Sequence, residues 1–161
     1  MSVAFNFDQD FSENLSVNLG LSSFERAPDV VELFMNGPHL ATGRFEVGNP
    51  NLDNETHRNF DLALNYAANG YFGSLTFFSN SVDNYIYLVD ETEEAHEEHE
   101  DHDDHAGLIR ADFLQNDADF SGYELEIGKT FELNSGSLTL AFARDSVIGE
   151  LSDGSDVPRM V

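Results

Sequence analysis

Along several stretches of the chain, apolar and polar residues alternate one for one. Leu15, Val17, Leu19 and Leu21 alternate with Ser16, Asn18, Gly20 and Ser22. Phe60, Leu62, Leu64 and Tyr66 alternate with Asn59, Asp61, Ala63 and Asn65. Tyr123, Leu125 and Ile127 alternate with Glu124, Glu126 and Gly128, and Leu138, Leu140 and Phe142 alternate with Thr139, Ala141 and Ala143. A period of two turns successive side chains to opposite faces of a strand, so each run predicts one apolar and one polar face. Residues 72–88 are strand-like with a less regular alternation, and residues 3–8 read as a short strand or the end of a longer one. Only residues 28–35, PDVVELFM, suit one or two turns of helix.

The connections sharpen this picture. Residues 9–14 are short, Asn69-Gly70 is a strong tight-hairpin signal, and Asn134-Ser135-Gly136 is another short turn. Between them lie two long connections, roughly 24–55 and 89–116. Long structureless loops are unusual in a compact domain. Short turns at one end and long loops at the other are the pattern of outer-membrane barrels. Phe11, Tyr66, Tyr71, Phe72 and Phe131 fall near the short turns, and Tyr85 and Tyr87 near a long loop, as two aromatic girdles would. The expected fold is therefore all-β: an antiparallel up-and-down transmembrane barrel sector of about six strands with long extracellular loops. A soluble β-sandwich or meander shares the alternation and stands as the other reading.

Composition restricts the partners. The 161 residues carry 31 Asp and Glu against 7 Lys and Arg, a net charge of −24. So acidic a chain lacks the cations that neutralise phosphates, which argues against nucleic acid. Disorder is the usual reading of such charge, but 14 Phe and 5 Tyr are too many for a solvated polymer. The acids are also uneven, because ten of them fall in residues 90–104. Cysteine is absent, which excludes disulfides and thiolate metal sites. Met1-Ser2-Val3-Ala4-Phe5 shows neither the basic nor the apolar region of a signal peptide. No stretch approaches the roughly 20 apolar residues of a spanning helix, whereas barrel strands need only about 9–11.

The first long connection carries a recognisable text, FERAPDVVELFMNGPHLATGRFEVGNPNLDNET. It resembles the R-A-P…E-L-(Y/F)…G-N-P-x-L-x-x-E stretch of TonB-dependent outer-membrane receptors. The matching positions are Arg26-Ala27-Pro28, Glu32-Leu33-Phe34, Gly48-Asn49-Pro50, Leu52 and Glu55. Asp83-Asn84-Tyr85-Ile86-Tyr87 and Ala118-Asp119-Phe120-Ser121-Gly122-Tyr123-Glu124 continue the resemblance, which covers essentially the whole chain. The insert Asn36-Gly37-Pro38-His39-Leu40-Ala41-Thr42-Gly43, followed by a His-rich loop, is similar to the zinc-uptake branch. The resemblance implies a plugged 22-stranded barrel of which residues 1–161 are one part, with the plug, the TonB box and the remaining strands absent. It implies a receptor rather than an enzyme, no catalytic cofactor, and import of zinc or a related divalent cation across the outer membrane. The implied partners are the cation, outer-membrane lipid and, through the missing plug, the TonB complex.

The strongest chemical feature is His96-Glu97-Glu98-His99-Glu100-Asp101-His102-Asp103-Asp104-His105. Imidazoles recur at every third residue, with a carboxylate at every position between. Both are ordinary Zn²⁺ ligands, and three or four of them complete a tetrahedral site. A loop of this length closes at little entropic cost. Nothing in the run sets a geometry, so Cu²⁺ and Ni²⁺ should bind as well, and the expected role is a multi-site cation antenna. The other reading is a solvated acidic loop with incidental histidines. His96-Glu97-Glu98-His99 misses the H-E-x-x-H spacing by one residue, so a metalloprotease is rejected. His39 is expected as a further metal ligand, with Glu46 beside it, and His57 as a residue of the strand rim. Glu124 and Glu126 share the polar face of one strand and Arg26 is expected to pair with acids at a strand-to-loop junction. Three functions fit: a zinc receptor, a receptor of the same fold for a siderophore or other chelate, and a soluble secreted metal-sequestering β-domain.

Overall fold

The computed structural model of the protein describes residues 1–91 and 107–158. Strands β1 (Val3–Ser12) and β2 (Leu15–Arg26) lead to a short helix, α1 (Val30–Phe34), and to two short strands, β3 (Asn36–His39) and β4 (Arg44–Val47). The long strands β5 (Glu55–Ala68), β6 (Tyr71–Asp90), β7 (Ile109–Leu133) and β8 (Gly136–Leu151) follow. All eight belong to one open sheet, in the order β1-β2-β5-β6-β7-β4-β3, with β8 also on β7. One edge of β7 is thus shared: Ala118 to Leu133 pair with β8, and Ile109 to Asp112 pair with β4.

The six long strands are those the alternation predicts, and neighbours among them pair antiparallel. Two features correct the expected six-stranded antiparallel sector. The first long connection contains the β3–β4 hairpin, which makes eight strands, and β4 runs parallel to β7. Strands of four residues are too short for a period of two to register. The second connection is also shorter than its sequence suggests. Val89 pairs with Asp112 and Asp90 with Ala111, so the β6–β7 ladder continues into what reads as loop. A register shift between Val82 and Tyr85 hides this extension by breaking the alternation. Asn84 occupies it with φ 58°, a left-handed conformation that Asn tolerates better than most residues.

At the short turns the local chemistry is as expected. Asn69 and Gly70 both adopt positive φ, 53° and 79°, as a primed hairpin turn requires. A side chain on Gly70 would also meet the Thr130 carbonyl at 2.5 Å. Glycine is needed there on both counts.

Register places the two faces without ambiguity. Phe7, Leu19, Leu62, Phe77 and Tyr123 form one line across β1, β2, β5, β6 and β7. Asp8, Asn18, Ala63, Thr76, Glu124 and Asp145 form a line on the opposite face. The apolar face is bare: Phe5, Phe7, Leu62, Leu64, Phe77, Ile127, Leu138, Leu140 and Phe142 are all exposed. Such a continuous patch belongs against another apolar phase. Among the described residues the buried apolar side chains are Val82, Ile86, Ala111, Ala118, Leu151 and Val157, all toward the long connections. Tyr85, Tyr87 and Phe120 pack on this small core. Tyr85 stacks on Tyr87 and meets Phe120 edge to face. The two tyrosines are therefore packing residues rather than an outward girdle. Phe72 also leaves the girdle, because it lies over Gly128 on the polar face. Tyr66, Tyr71 and Phe131 stay on the apolar face, exposed beside the short turns.

Candidate functional site

The residues of the first long connection assemble around a buried carboxylate. Glu55 opens β5 and is only 2 % exposed. Register sets Arg26 directly opposite it, at the end of β2. The Arg26 guanidinium donates to both Glu55 oxygens, at 2.6 and 2.7 Å, and to both Glu32 oxygens, at 3.0 and 3.1 Å. Glu55 also accepts the Ile86 N–H at 2.8 Å and lies 2.8 Å from His57 Nε2. Burial pushes the Glu55 carboxyl up, but the bonds from Arg26, Ile86 and His57 and the guanidinium charge together hold it below its ordinary value. Two carboxylates in turn raise the Arg26 pKa, against the cost of its partial burial.

Glu32 couples this pair to α1. It reaches back to the Asp29 N–H at 2.6 Å, completing a capping box with Asp29. The Gly48-Asn49 dipeptide then docks on the helix end: Gly48 N–H donates to Met35 at 2.6 Å and Asn49 N–H to Glu32 O at 2.8 Å. A Cβ on Gly48 would stand 2.7 Å from the backbone of Leu33, Phe34 and Met35, so only glycine permits this approach. The spaced residues Arg26, Glu32, Gly48 and Glu55 are thus one latch that folds the connection back on the sheet. Gln115 adds a second tie, bonding Asp53 in the connection and Asn84 in the β6 bulge.

The β3–β4 hairpin forms a separate corner. His39 Nδ1 lies 2.7 Å from Glu46 Oε1, and Glu46 is only 5 % exposed. Thr42 Oγ1 approaches the same oxygen at 3.4 Å. Arg44, which pairs with His39 in the hairpin, donates to both Asp90 oxygens at 2.6 and 2.7 Å, closing the hairpin on the end of β6. On its other side Arg44 is in register with Ile109, whose N–H donates to Gly43 at 3.2 Å. β6 ends at Asp90 and β7 begins at Ile109. The end of β6 and the start of β7 thus lie together on one side of the hairpin that carries His39. An open groove of about 410 Å³ beside them is lined by Asp90, Glu91, Asp112 and Asn49, among others.

Of the expected metal ligands, His39 is placed at this corner, half-exposed, with Glu46 as its partner. His96, Glu97, Glu98, His99, Glu100, Asp101, His102, Asp103, Asp104 and His105 lie outside the described residues. Among the described residues no three His, Asp or Glu side chains converge as a metal site. His57 joins the latch and stacks on Phe24 with ring centroids 4.6 Å apart. Glu124 and Glu126 lie exposed on the polar face, as alternation requires. Arg26 does pair with acids at the strand-to-loop junction. Arg44 and Gln115 went unremarked in the sequence, since neither belongs to an alternating run or a spaced motif. The scarcity of cations was the usable signal for Arg44.

A family model described as TonB dependent receptor-like, beta-barrel matches residues 2–160. The chain belongs to this family. TonB-dependent receptors reside in the bacterial outer membrane, and the family is one of receptors and transporters rather than enzymes. Solved structures agree on the fold. A copper transporter, OprC, superposes with TM-score 0.71 at 18% identity, covering 96% of this chain and 21% of that one. The siderophore receptor PirA from Pseudomonas aeruginosa gives 0.59 at 22% identity over 93% and 30% of the two chains. The ferric enterobactin receptor PfeA of the same organism gives 0.51 at 20% identity, over 94% and 22%. The chain thus spans between a fifth and a third of the length of these structures. In this setting the apolar face of the receptor sheet meets lipid and the polar face lines the barrel interior, with the short turns periplasmic and the long connections extracellular. Both the Arg26–Glu55 latch and the His39 corner belong to the extracellular end.

Proposed function

We propose that the chain is part of the wall of a receptor that gathers a divalent metal ion, zinc or a close relative, and imports it in a TonB-dependent manner. The run His96 to His105 supplies the capture, with imidazole at every third position and carboxylates between. His39, held by Glu46 at 2.7 Å, is a nearby ligand to which a captured ion passes. The observation that carries this reading is the arrangement at the hairpin. Arg44 bonds Asp90 at the end of β6 and stands in register with Ile109 at the start of β7, so the hairpin that carries His39 is tied to the described residues that precede and follow the run in sequence. Acidity adds to it: a strongly negative extracellular surface raises the local concentration of cations. TonB itself would engage a plug domain elsewhere in the whole receptor.

Calorimetric titration of the full-length receptor with Zn²⁺ at neutral pH tests the capture. Binding should disappear, or weaken at least tenfold, when His96, His99, His102 and His105 are all replaced by Ala. Unchanged binding removes the run from the mechanism. A second reading, a receptor for a siderophore or other metal chelate, is favoured by the likeness to receptors named for siderophores and ferric enterobactin. Growth separates the two: deleting residues 92–106 should slow growth under zinc limitation and leave growth on a ferric chelate unaffected if the first reading holds.

A further inference from the structure

The lipid-facing side carries a built notch at its periplasmic end. Tyr66, Gly73, Ile127 and Phe142 form one line across β5, β6, β7 and β8. Every position but Gly73 presents a large side chain, so the line dips to a shallow gap at Gly73, where Ile127 Cγ2 lies 3.4 Å from the place a Cβ would take. The next line down, Tyr71, Lys129 and Leu140, forms its lower lip. The result is an open groove of about 670 Å³ with almost wholly apolar walls. Strands β6 and β7, which make its floor, are paired on both sides within the chain, so the groove does not depend on a sheet edge.

Lys129 is a cation at the foot of this apolar groove. Its ammonium sits 4.0 Å from the centre of the Tyr71 ring and 4.9 Å from that of Phe131, and it donates to Tyr71 Oη at 2.8 Å. Aromatic rings at this level mark the membrane interface, where a lysine stem lies along apolar surface and its head reaches the polar layer. An ammonium has three protons to donate, and the tyrosine oxygen takes one. Among the described residues no carboxylate pairs with it, whereas Arg26, Arg44, Arg58 and Arg110 bond acids; Arg144, in register with Leu125 one line above the groove, shows no acid partner either. Arg58 and Arg110 pair with Asp83 and Asp112 toward the other end of the strands. An unpaired cation at the foot of an apolar slot is the complement of an anionic amphiphile, and the periplasmic leaflet is made of glycerophospholipid.

We propose that this groove is a binding site for one anionic glycerophospholipid of the periplasmic leaflet, an acyl chain lying in the gap at Gly73 and the phosphate on the Lys129 ammonium. The site is independent of metal capture, which belongs to the opposite end of the receptor.

The test is native mass spectrometry of the full-length receptor, delipidated in mild detergent and titrated with palmitoyl-oleoyl phosphatidylglycerol. Phosphatidylethanolamine with the same chains is the control. The unmodified receptor should retain one phosphatidylglycerol under activation that strips phosphatidylethanolamine. Lys129→Gln should lower the phosphatidylglycerol-bound fraction at least threefold, Lys129→Arg should restore it, and Arg58→Gln at the far end should leave it unchanged. Gly73→Leu fills the gap while keeping the charge, and should lower retention as strongly as Lys129→Gln. Heat-modifiable gel migration identifies variants that assemble. If Lys129→Gln does not assemble, the Arg and Gly73→Leu variants decide alone, the first keeping the lipid and the second losing it. Equal retention in all assembled variants, or equal loss in Arg58→Gln and Lys129→Gln, overturns the proposal.

Discussion

Arg26 holds two carboxylates that would otherwise repel each other, one of them fully buried. Removing it leaves Glu55 charged, buried and short of its main partner. Breaking a buried pair in this way typically costs about 3–5 kcal/mol. With Arg26 itself 38% exposed, Arg26→Ala should fall near the bottom of that range. Hydrogen exchange of the full receptor should report it as faster exchange at Val30–Phe34 and at Gly48. Gly48→Ala should loosen the same segment by about 1–3 kcal/mol through overpacking against Leu33 to Met35. A variant that leaves exchange there unchanged would show that the latch does not hold the connection. Acid should have the same effect. The Glu55 carboxyl is held low in the folded state, so it contributes stability above the ordinary carboxylate pKa, and that contribution is lost as pH falls through the folded value. Protection of α1, normalised for intrinsic exchange, should therefore be flat near neutrality and fall below about pH 4. Glu55→Gln should abolish this fall.

At the scale of elements, strand faces do the sorting. Leu62 sits in the line from Phe7 to Tyr123 that meets lipid, one residue from Asp61 on the interior face. A charge on the lipid face costs about 2–4 kcal/mol at mid-bilayer. Leu62→Arg should lower stability to denaturant in lipid vesicles by that order, while Asp61→Asn should shift it by less than about 0.5 kcal/mol. Equal effects would mean that the faces are assigned wrongly. The β3–β4 hairpin shows a different economy. Its strands are too short to stand alone, and it is kept in place by the parallel pairing with β7 and by Arg44 on Asp90. Arg44→Ala should therefore release the hairpin without disturbing the long strands. The expected signature is faster exchange confined to Asn36–Val47.

At the scale of the molecule, the sheet is a wall one residue thick. Buried apolar side chains gather at the extracellular end, and the rest of the sheet takes its support from lipid on one face. Among the described residues, β1 pairs with no strand but β2, and β8 with no strand but β7, its last residues making only a short bridge from Glu150 to Asp156. Open edges are not tolerated in the hydrocarbon region, because every backbone N–H and C=O there needs an internal partner. Residues 1–161 expressed alone should consequently fail to give a heat-modifiable monomer in lipid, whereas the full receptor should give one. The extreme charge acquires a location at this scale. Among the described residues, acids such as Glu32, Glu46, Glu55 and Asp90 stand at the extracellular end and Asp8, Asp61, Glu124 and Asp145 along the barrel interior, and the lipid face between Leu15 and Phe77 carries few.

Much of this was legible in the residues alone. Strict alternation placed β2, β5, β7 and β8 and their faces, because a period of two is enforced wherever one side of a sheet meets lipid and the other water; β1 and β6 showed a strand without a clean period. Asn69-Gly70 announced its hairpin because few residues adopt two successive positive φ angles. The spaced Arg26, Glu32, Gly48 and Glu55 pointed to the family, but their spacing did not say that they touch. Register between β2 and β5 brings Arg26 to Glu55, and the turn of α1 brings Glu32 to both. The positions of Tyr85 and Tyr87 suggest a girdle, but beyond the Asn84 bulge they pack with Phe120 against Ala118, Leu151 and Val157. The four-residue strands β3 and β4, the parallel pairing and the His39 corner had no sequence period to announce them. Local chemistry determined the strands, their faces and their tight turns. Only tertiary structure decided which distant residues meet, since that depends on register and on a bulge that no repeating pattern records.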